Sequence, residues 1–160
     1  MDITSLIIGL GLFVLFMFPI VYVLVKQNSK ERKQAKALKK IAAENQLELD
    51  VINIYGSLAL GLDTRNKRLI RIEEGAHEAT EVIDLTTVSS VNLSKKSENI
   101  VINKIKKDRI QKLSLDLQNG QQQVSEIIFY SEEDEDDIDA EIRLNDARKW
   151  DDLLRKAMVY

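Results

Sequence analysis

The stretch LSLDLQNGQQQVSEIIFY, Leu113 to Tyr130, sets how the second half of this chain folds. Leucines alternate at positions 113, 115 and 117, Asn119-Gly120 follows, and a second strand-like run continues to Tyr130. Asn-Gly between two such runs is the strongest short-range hairpin signal, because a type I′ turn needs positive φ at both central residues. The sequence therefore predicts a β-hairpin with strands at 109–118 and 121–130.

More strands are expected before this hairpin, because the hydrophobic period changes to two after Gln46. The apolar residues of LELDVINIY, Leu47 to Tyr55, suggest an extended segment whose buried face shifts near Val51. The other expected strands are Ser57 to Leu62, Arg68 to Glu73 after a polar turn at 63–67, and Ala79 to Leu85, with an apolar series continuing at Val88, Val91 and Leu93.

A C-terminal amphipathic helix is expected after these strands. Asn145 can cap a helix that begins at Asp146, which places Trp150 and Leu154 on one face together with Ala147, Ala157 and Met158. The order of elements predicts an antiparallel, strongly bent sheet or partly open barrel of six or seven strands, closed by this helix.

The N-terminal region has a different character. Leu6 to Val25 is a run of twenty residues without a charge, and a helix of that length reaches roughly 30 Å, the thickness of the bilayer's hydrocarbon core. The flanks lack the basic start and small-residue cleavage site of a signal peptide. Residues 1–25 are therefore predicted to be a retained single-pass transmembrane anchor, with Pro19 inside the helix.

Seven basic residues follow the apolar run, and they are the predicted membrane-surface contacts. They are Lys26, Lys30, Arg32, Lys33, Lys36, Lys39 and Lys40. Basic flanks stay on the cytoplasmic side, so the N-terminus is expected outside the inner membrane and residues 47–160 in the cytoplasm. Residues 26–46 are predicted to be a basic helical stem, whose narrow apolar stripe at Ala35, Leu38, Ile41 and Ala42 could pack on the following domain. An electrostatic clamp on the membrane and a coiled-coil dimer are alternatives for this stem.

Composition removes several classes of chemistry. The 160 residues contain no Cys and one His, which excludes disulfides, thiol nucleophiles and multi-histidine metal sites. His77 has no readable catalytic partner, and the chain has no Gly-x-Ser-x-Gly motif. The acidic run at 132–141 lacks the glycine and third ligand of an EF-hand, so it is expected to be a solvated loop. We therefore expect no cofactor, no metal and no enzymatic activity.

A second basic segment, Lys95 to Arg109, contains six Lys or Arg against two acidic residues. Three interpretations remain open for it: contact with a lipid surface, pairing with the acidic loop at 132–141, or a solvated strand edge whose lysines discourage aggregation. Few aromatic residues lie near it, which argues against nucleic-acid binding through stacked bases.

Three further stretches resemble one known family. LALGLDTRNKRLIRIE from Leu58, EVIDLTTVSSVNL from Glu81 and DARKWDDLLRKAM from Asp146 are similar to the pleckstrin-homology-like domains of small bacterial membrane proteins. The resemblance covers roughly Leu49 to Met158 and implies a barrel that a C-terminal helix closes. No basic loop between the first two strands matches the phosphoinositide-binding loop, so the resemblance does not imply headgroup recognition.

The function expected from these features is recognition. The leading hypothesis is a membrane-anchored cytoplasmic binding or scaffolding module that acts through a sheet edge or the open end of the barrel. The alternative is an accessory subunit of a larger membrane complex that uses its helix, where Ser5, Gly9 and Gly11 permit close approach. The expected partners are the lipid bilayer, an unidentified protein and a second copy bound through the helix.

Overall fold

The computed structural model describes residues 3–74, 79–102, 105–133 and 139–159. Two helices and seven strands lie in these ranges. The elements are α1 Ile3–Glu44, β1 Val51–Tyr55, β2 Leu58–Asp63, β3 Arg68–Glu73, β4 Ala79–Asp84, a 3₁₀ turn Leu85–Thr87, β5 Ser90–Ile102, β6 Ile105–Asn119, β7 Gln122–Ser131 and α2 Ala140–Val159.

The strands form two antiparallel sheets. Sheet A has the order β1-β2-β3-β4 and sheet B the order β5-β6-β7. Between them, the 3₁₀ turn leads the chain out of sheet A: Asp84 accepts the backbone N–H of Thr86 at 3.0 Å, and Leu85 is buried. The expected single bent sheet or partly open barrel is therefore wrong, since neither sheet closes on itself within the described residues.

The expected transmembrane anchor also needs correction. Among the described residues, no helix is both long and apolar enough to span a bilayer. A span requires a helix with roughly 20 consecutive apolar residues. This finding overturns the predicted anchor at 1–25 and the single-pass inner-membrane location, with its outer N-terminus and cytoplasmic domain.

The main core lies between the two sheets and α2. Leucines and isoleucines on the inner faces of both sheets meet Trp150 and Leu154 of α2, which are fully buried. Ala147 and Ala157 are buried on the same side of the helix, and the partly buried Met158 packs against this core. The sequence therefore places the buried face of α2 correctly.

The start of α2 differs from the prediction. The sequence places the cap at Asn145, but the helix begins at Ala140, where Asp139 accepts the backbone N–H of Glu141 at 3.0 Å and caps the helix. The added first turns carry Arg143, which is buried and holds its guanidinium 5.3 Å from the centre of the Tyr55 ring. The helix therefore begins before the part that its apolar pattern marks, and its added first turns contact β1.

A second apolar cluster joins the C-terminal half of α1 to the outer face of sheet A. Leu38 and Ala42 are buried against Ala59 and Ile70, as the apolar stripe of the stem predicts. Gly61 makes room for the segment that follows α1: a Cβ atom there would lie 2.8 Å from a methyl carbon of the Leu49 side chain, and 3.4 Å from one of Leu38 in α1. Because helix and core cover its two faces, β2 is buried along its whole length.

The hairpin between β6 and β7 is confirmed, with a different turn. Asn119 pairs with Gln122, so Gly120 and Gln121 form the two-residue loop. Gly120 has φ +62°, whereas Asn119 and Gln121 are not among the described residues with positive φ. Glycine at the first central position, with positive φ there alone, is typical of a type II′ turn rather than the expected type I′ turn.

Candidate functional site

The outward side of α1 between Arg32 and Lys40 carries the largest set of predicted site residues. At about 100° per residue, this side lies opposite the one that packs on sheet A. We call its five exposed cations the basic face: Arg32, Lys33, Lys36, Lys39 and Lys40. Lys40 lies 3.8 Å from Glu44, in a pair that is exposed on both sides. The attachment of α1 to sheet A therefore fixes the direction in which these charges point.

The other predicted contact residues are placed differently. Lys30 is exposed but lies to one side of the basic face, and the side chain of Lys26 lies outside the described ones. The surroundings of Ser5, Gly9 and Gly11 also lie outside what is described. The structure does not test whether any of the seven basic residues contacts a membrane surface.

Large apolar side chains are exposed nearer the start of α1. Leu15, Phe18 and Tyr22 are 73%, 71% and 61% exposed, and the helical period places them along the same side as Lys33 and Lys36. Contiguous exposed apolar surface on a protein commonly marks an interaction site. α1 thus carries exposed apolar side chains near its start and exposed cations further along.

A cleft of about 520 Å³ lies where β6 and the end of β7 meet β5. Its lining residues are Lys96, Gln111, Lys112, Ser131, Glu132 and Glu133. Several of them are already engaged: Lys112 Nζ lies 2.6 Å from Glu126 Oε1, and Gln111 Nε2 donates to Glu98 Oε2 at 2.8 Å. The lining carries both positive and negative side chains, and these contacts already occupy some of its polar groups.

The second basic segment, Lys95 to Arg109, makes ion pairs with acidic residues of the same chain. Lys95 Nζ lies 2.9 Å from Asp108 Oδ2, and hydrogen bonds from Lys95 and Ser97 lower the pKa of Asp108. Arg109 pairs with Glu132, the first residue of the acidic run. Of the three interpretations of segment 95–109, this contact supports pairing with the start of the acidic run.

A polar cluster between the sheets was not found by sequence reasoning. Arg71 Nη2 lies 3.2 Å from Glu81 Oε2, and Arg71 Nη1 lies 3.7 Å from Glu73 Oε1. Arg71 and Glu73 are nearly buried, with 12% and 10% of their side chains exposed. The alternation of RLIRIE places both on the inner face with Leu69, but nothing in the sequence shows that β7 lies above them.

A second buried polar group joins β1 to α2. Trp150 Nε1 donates to the Tyr55 hydroxyl at 3.0 Å, and the Arg143 guanidinium lies over the Tyr55 ring. Burial raises the pKa of Tyr55 above its usual value. These contacts join β1 to α2 within the core, so we assign these three side chains a role in packing rather than in binding.

Two sequence features that were considered and rejected as sites lie partly or wholly outside the described residues. His77 lies in the undescribed range 75–78, and positions 134–138 of the acidic run are also outside. Within the ranges that the structure does describe, no group of three or more Asp, Glu or His side chains is arranged to hold a metal ion.

Comparisons with known proteins gave no match. No family model matches the chain, and neither the curated proteins nor the solved structures contain a significant match. The resemblance to pleckstrin-homology-like domains therefore stays a prediction.

Proposed function

We propose that this chain is a binding module without catalytic activity of its own, which holds the basic face of α1 against a negatively charged partner. The observation that carries the proposal is the opposite character of the two sides of one helix. Leu38 and Ala42 fix one side to sheet A, while the five cations of the basic face point outward. A fixed helix presents its charges without the entropy cost of ordering a flexible segment.

The test compares two charge-reversal variants of the full-length chain. The first replaces Lys33, Lys36 and Lys39 by Glu, leaving Lys40 with its partner Glu44. The control replaces three exposed α2 residues by Glu, which changes the net charge by the same amount; they are Arg148, Lys149 and Lys156. Each chain is purified in gentle detergent, and the retained proteins and lipids are identified by mass spectrometry.

We expect the α1 variant to lose a stoichiometric component that the wild type and the control retain. An exposed ion pair contributes about 0.2–1 kcal/mol, so reversing three cations should weaken binding about tenfold or more. Retention should also fall as salt is raised. Equal retention by all three chains would contradict the proposal.

The exposed apolar part of α1 favours a second candidate, a subunit of a larger assembly. Phe16 and Phe18 are 73% and 71% exposed, and large exposed apolar patches mark protein interaction sites. Replacing both by Ser distinguishes the candidates: a subunit held by this part loses its assembly, whereas a partner of the basic face stays bound.

A further inference from the structure

Strand β5 forms one edge of sheet B, and most of this edge is uncovered. Sheet B has the order β5-β6-β7, so among the described strands β5 pairs with β6 alone. Arg155 of α2 donates to the carbonyl oxygen of Val91 and covers the start of the edge. Further along, residues 94–99 are all exposed. The backbone of this stretch can therefore pair with another strand.

The far end of sheet B consists of two strands only. β6 pairs with β7 from Lys112 onward, whereas residues 97–102 of β5 and 105–110 of β6 continue as a two-stranded ribbon among the described residues. Two isolated strands are marginally stable in water, and three or more are needed for independent stability. A strand added to the β5 edge would supply the missing pairing.

The charges on β5 fit a second copy of the same strand. Two identical antiparallel strands related by a two-fold axis place one residue opposite its own copy. If that residue is Lys95, Lys96 or Glu98, like charges lie directly opposite each other, which destabilises the pair. If it is Ser97, each Lys96 lies opposite the Glu98 of the other copy. Glu98 already accepts a hydrogen bond from Gln111 Nε2 at 2.8 Å, and a carboxylate can accept more than one.

We propose that the β5 edge binds the β5 strand of a second copy of this chain, antiparallel and centred on Ser97. The two three-stranded sheets then join into one sheet of six strands. Main-chain hydrogen bonds hold the copies together, and the two Lys96–Glu98 pairs fix the register. This surface is separate from the basic face of α1, so the inference does not depend on the proposed function.

Cysteine cross-linking of the full-length chain tests the register, because the chain has no Cys of its own. The thiol that Ser97→Cys introduces lies opposite its own copy, where Cα atoms are about 4.5–5.5 Å apart and a disulfide can form. The control is Ser94→Cys, which replaces an exposed serine of the same strand. The proposed register separates the two copies of that position by about 20 Å.

Both variants are oxidised in the same gentle detergent, so that any association through α1 is common to them. Non-reducing gel electrophoresis then measures how fast linked dimers form. We expect Ser97→Cys to form them about tenfold faster than Ser94→Cys, or more, because only its thiols meet in the proposed register. Equal rates, or no linked dimer with Ser97→Cys, would overturn the inference.

Charge reversal in the Ser97→Cys background tests the two Lys96–Glu98 pairs. Lys96→Glu puts like charges opposite each other twice and should slow dimer formation about tenfold. Glu98→Lys alone should slow it as well, although it changes the charge beside the thiol in the opposite direction. Both changes together restore opposite charges and should restore the rate. Single variants that leave the rate unchanged, or a double variant as slow as either, would refute the pairing.

Discussion

Asp63 ends β2 with a fully buried carboxylate that organises the following turn. It accepts the backbone N–H groups of Glu48 and Asn66, both at 2.8 Å, and the Asn66 side-chain amide at 2.7 Å. Burial pushes the pKa of Asp63 upward, but these hydrogen bonds outweigh it and leave the pKa below its usual value.

The lowered pKa gives a pH prediction. A carboxyl group whose pKa is lower in the folded state stabilises the fold above its unfolded pKa of about 3.9, and this contribution is lost as pH falls through the folded pKa. Asp63→Asn should cost about 1–3 kcal/mol at pH 7 and should lose less stability than the wild type on acidification. Urea unfolding at neutral and acidic pH measures both effects, with exposed Asp152→Asn as the control. An unchanged acid dependence would contradict the assignment.

Gly61 gives a second prediction at the residue scale. Gly61→Val should destabilise the fold by about 1–3 kcal/mol, because the new side chain meets Leu49 and Leu38. Denaturant unfolding of Gly61→Val, Leu49→Ala and the double variant tests the cause. If the clash is with Leu49, the double variant is less destabilised than the sum of the two single changes. Strict additivity would show that the destabilisation by Gly61→Val does not come from contact with Leu49.

At the scale of elements, α2 is joined to sheet A by a specific polar contact as well as by apolar packing. The Trp150 indole donates to the Tyr55 hydroxyl, and the Tyr55 ring lies 5.8 Å from the Phe129 ring. These contacts connect β1, β7 and α2 around one side chain.

We expect the Trp150–Tyr55 hydrogen bond to contribute about 0.5–1.5 kcal/mol. A double-mutant cycle with Trp150→Phe and Tyr55→Phe isolates this coupling energy from the change in packing. The measurement is the free energy of unfolding of the four chains. A coupling energy near zero would show that packing alone positions α2.

At the scale of the whole molecule, α1 has two parts with different surroundings. The half from Gln34 onward packs on sheet A, whereas the large apolar side chains described between Phe13 and Tyr22 are exposed. Removing residues 1–28 should therefore leave the free energy of unfolding nearly unchanged and reduce self-association in dilute buffer. Calorimetry measures the stability, and light scattering measures the self-association. A large loss of stability would show that the first half of α1 supports the fold.

The sequence predicts the local elements well where neighbouring residues define them. Alternation defines β3 at Arg68–Glu73 as expected, and Asn119-Gly120 correctly marks a hairpin. The predicted turn type and the predicted start of α2 are wrong, because they depend on register and on which residue caps the helix.

Local pattern was enough to predict β2, β3, β4 and the β6–β7 hairpin, the apolar stripe of α1 and the burial of Trp150, because period and side-chain character act over a few residues. It did not predict that β5 and β6 extend to Ile102 and back from Ile105. The folded chain was needed to show that the strands divide into two sheets, that Arg71 and Glu73 meet β7, and that the basic face points outward. These features depend on contacts between residues far apart in the chain, and the pairing of Arg71 with Glu126 spans 55 positions. Such contacts follow from packing of whole elements, which no local pattern specifies.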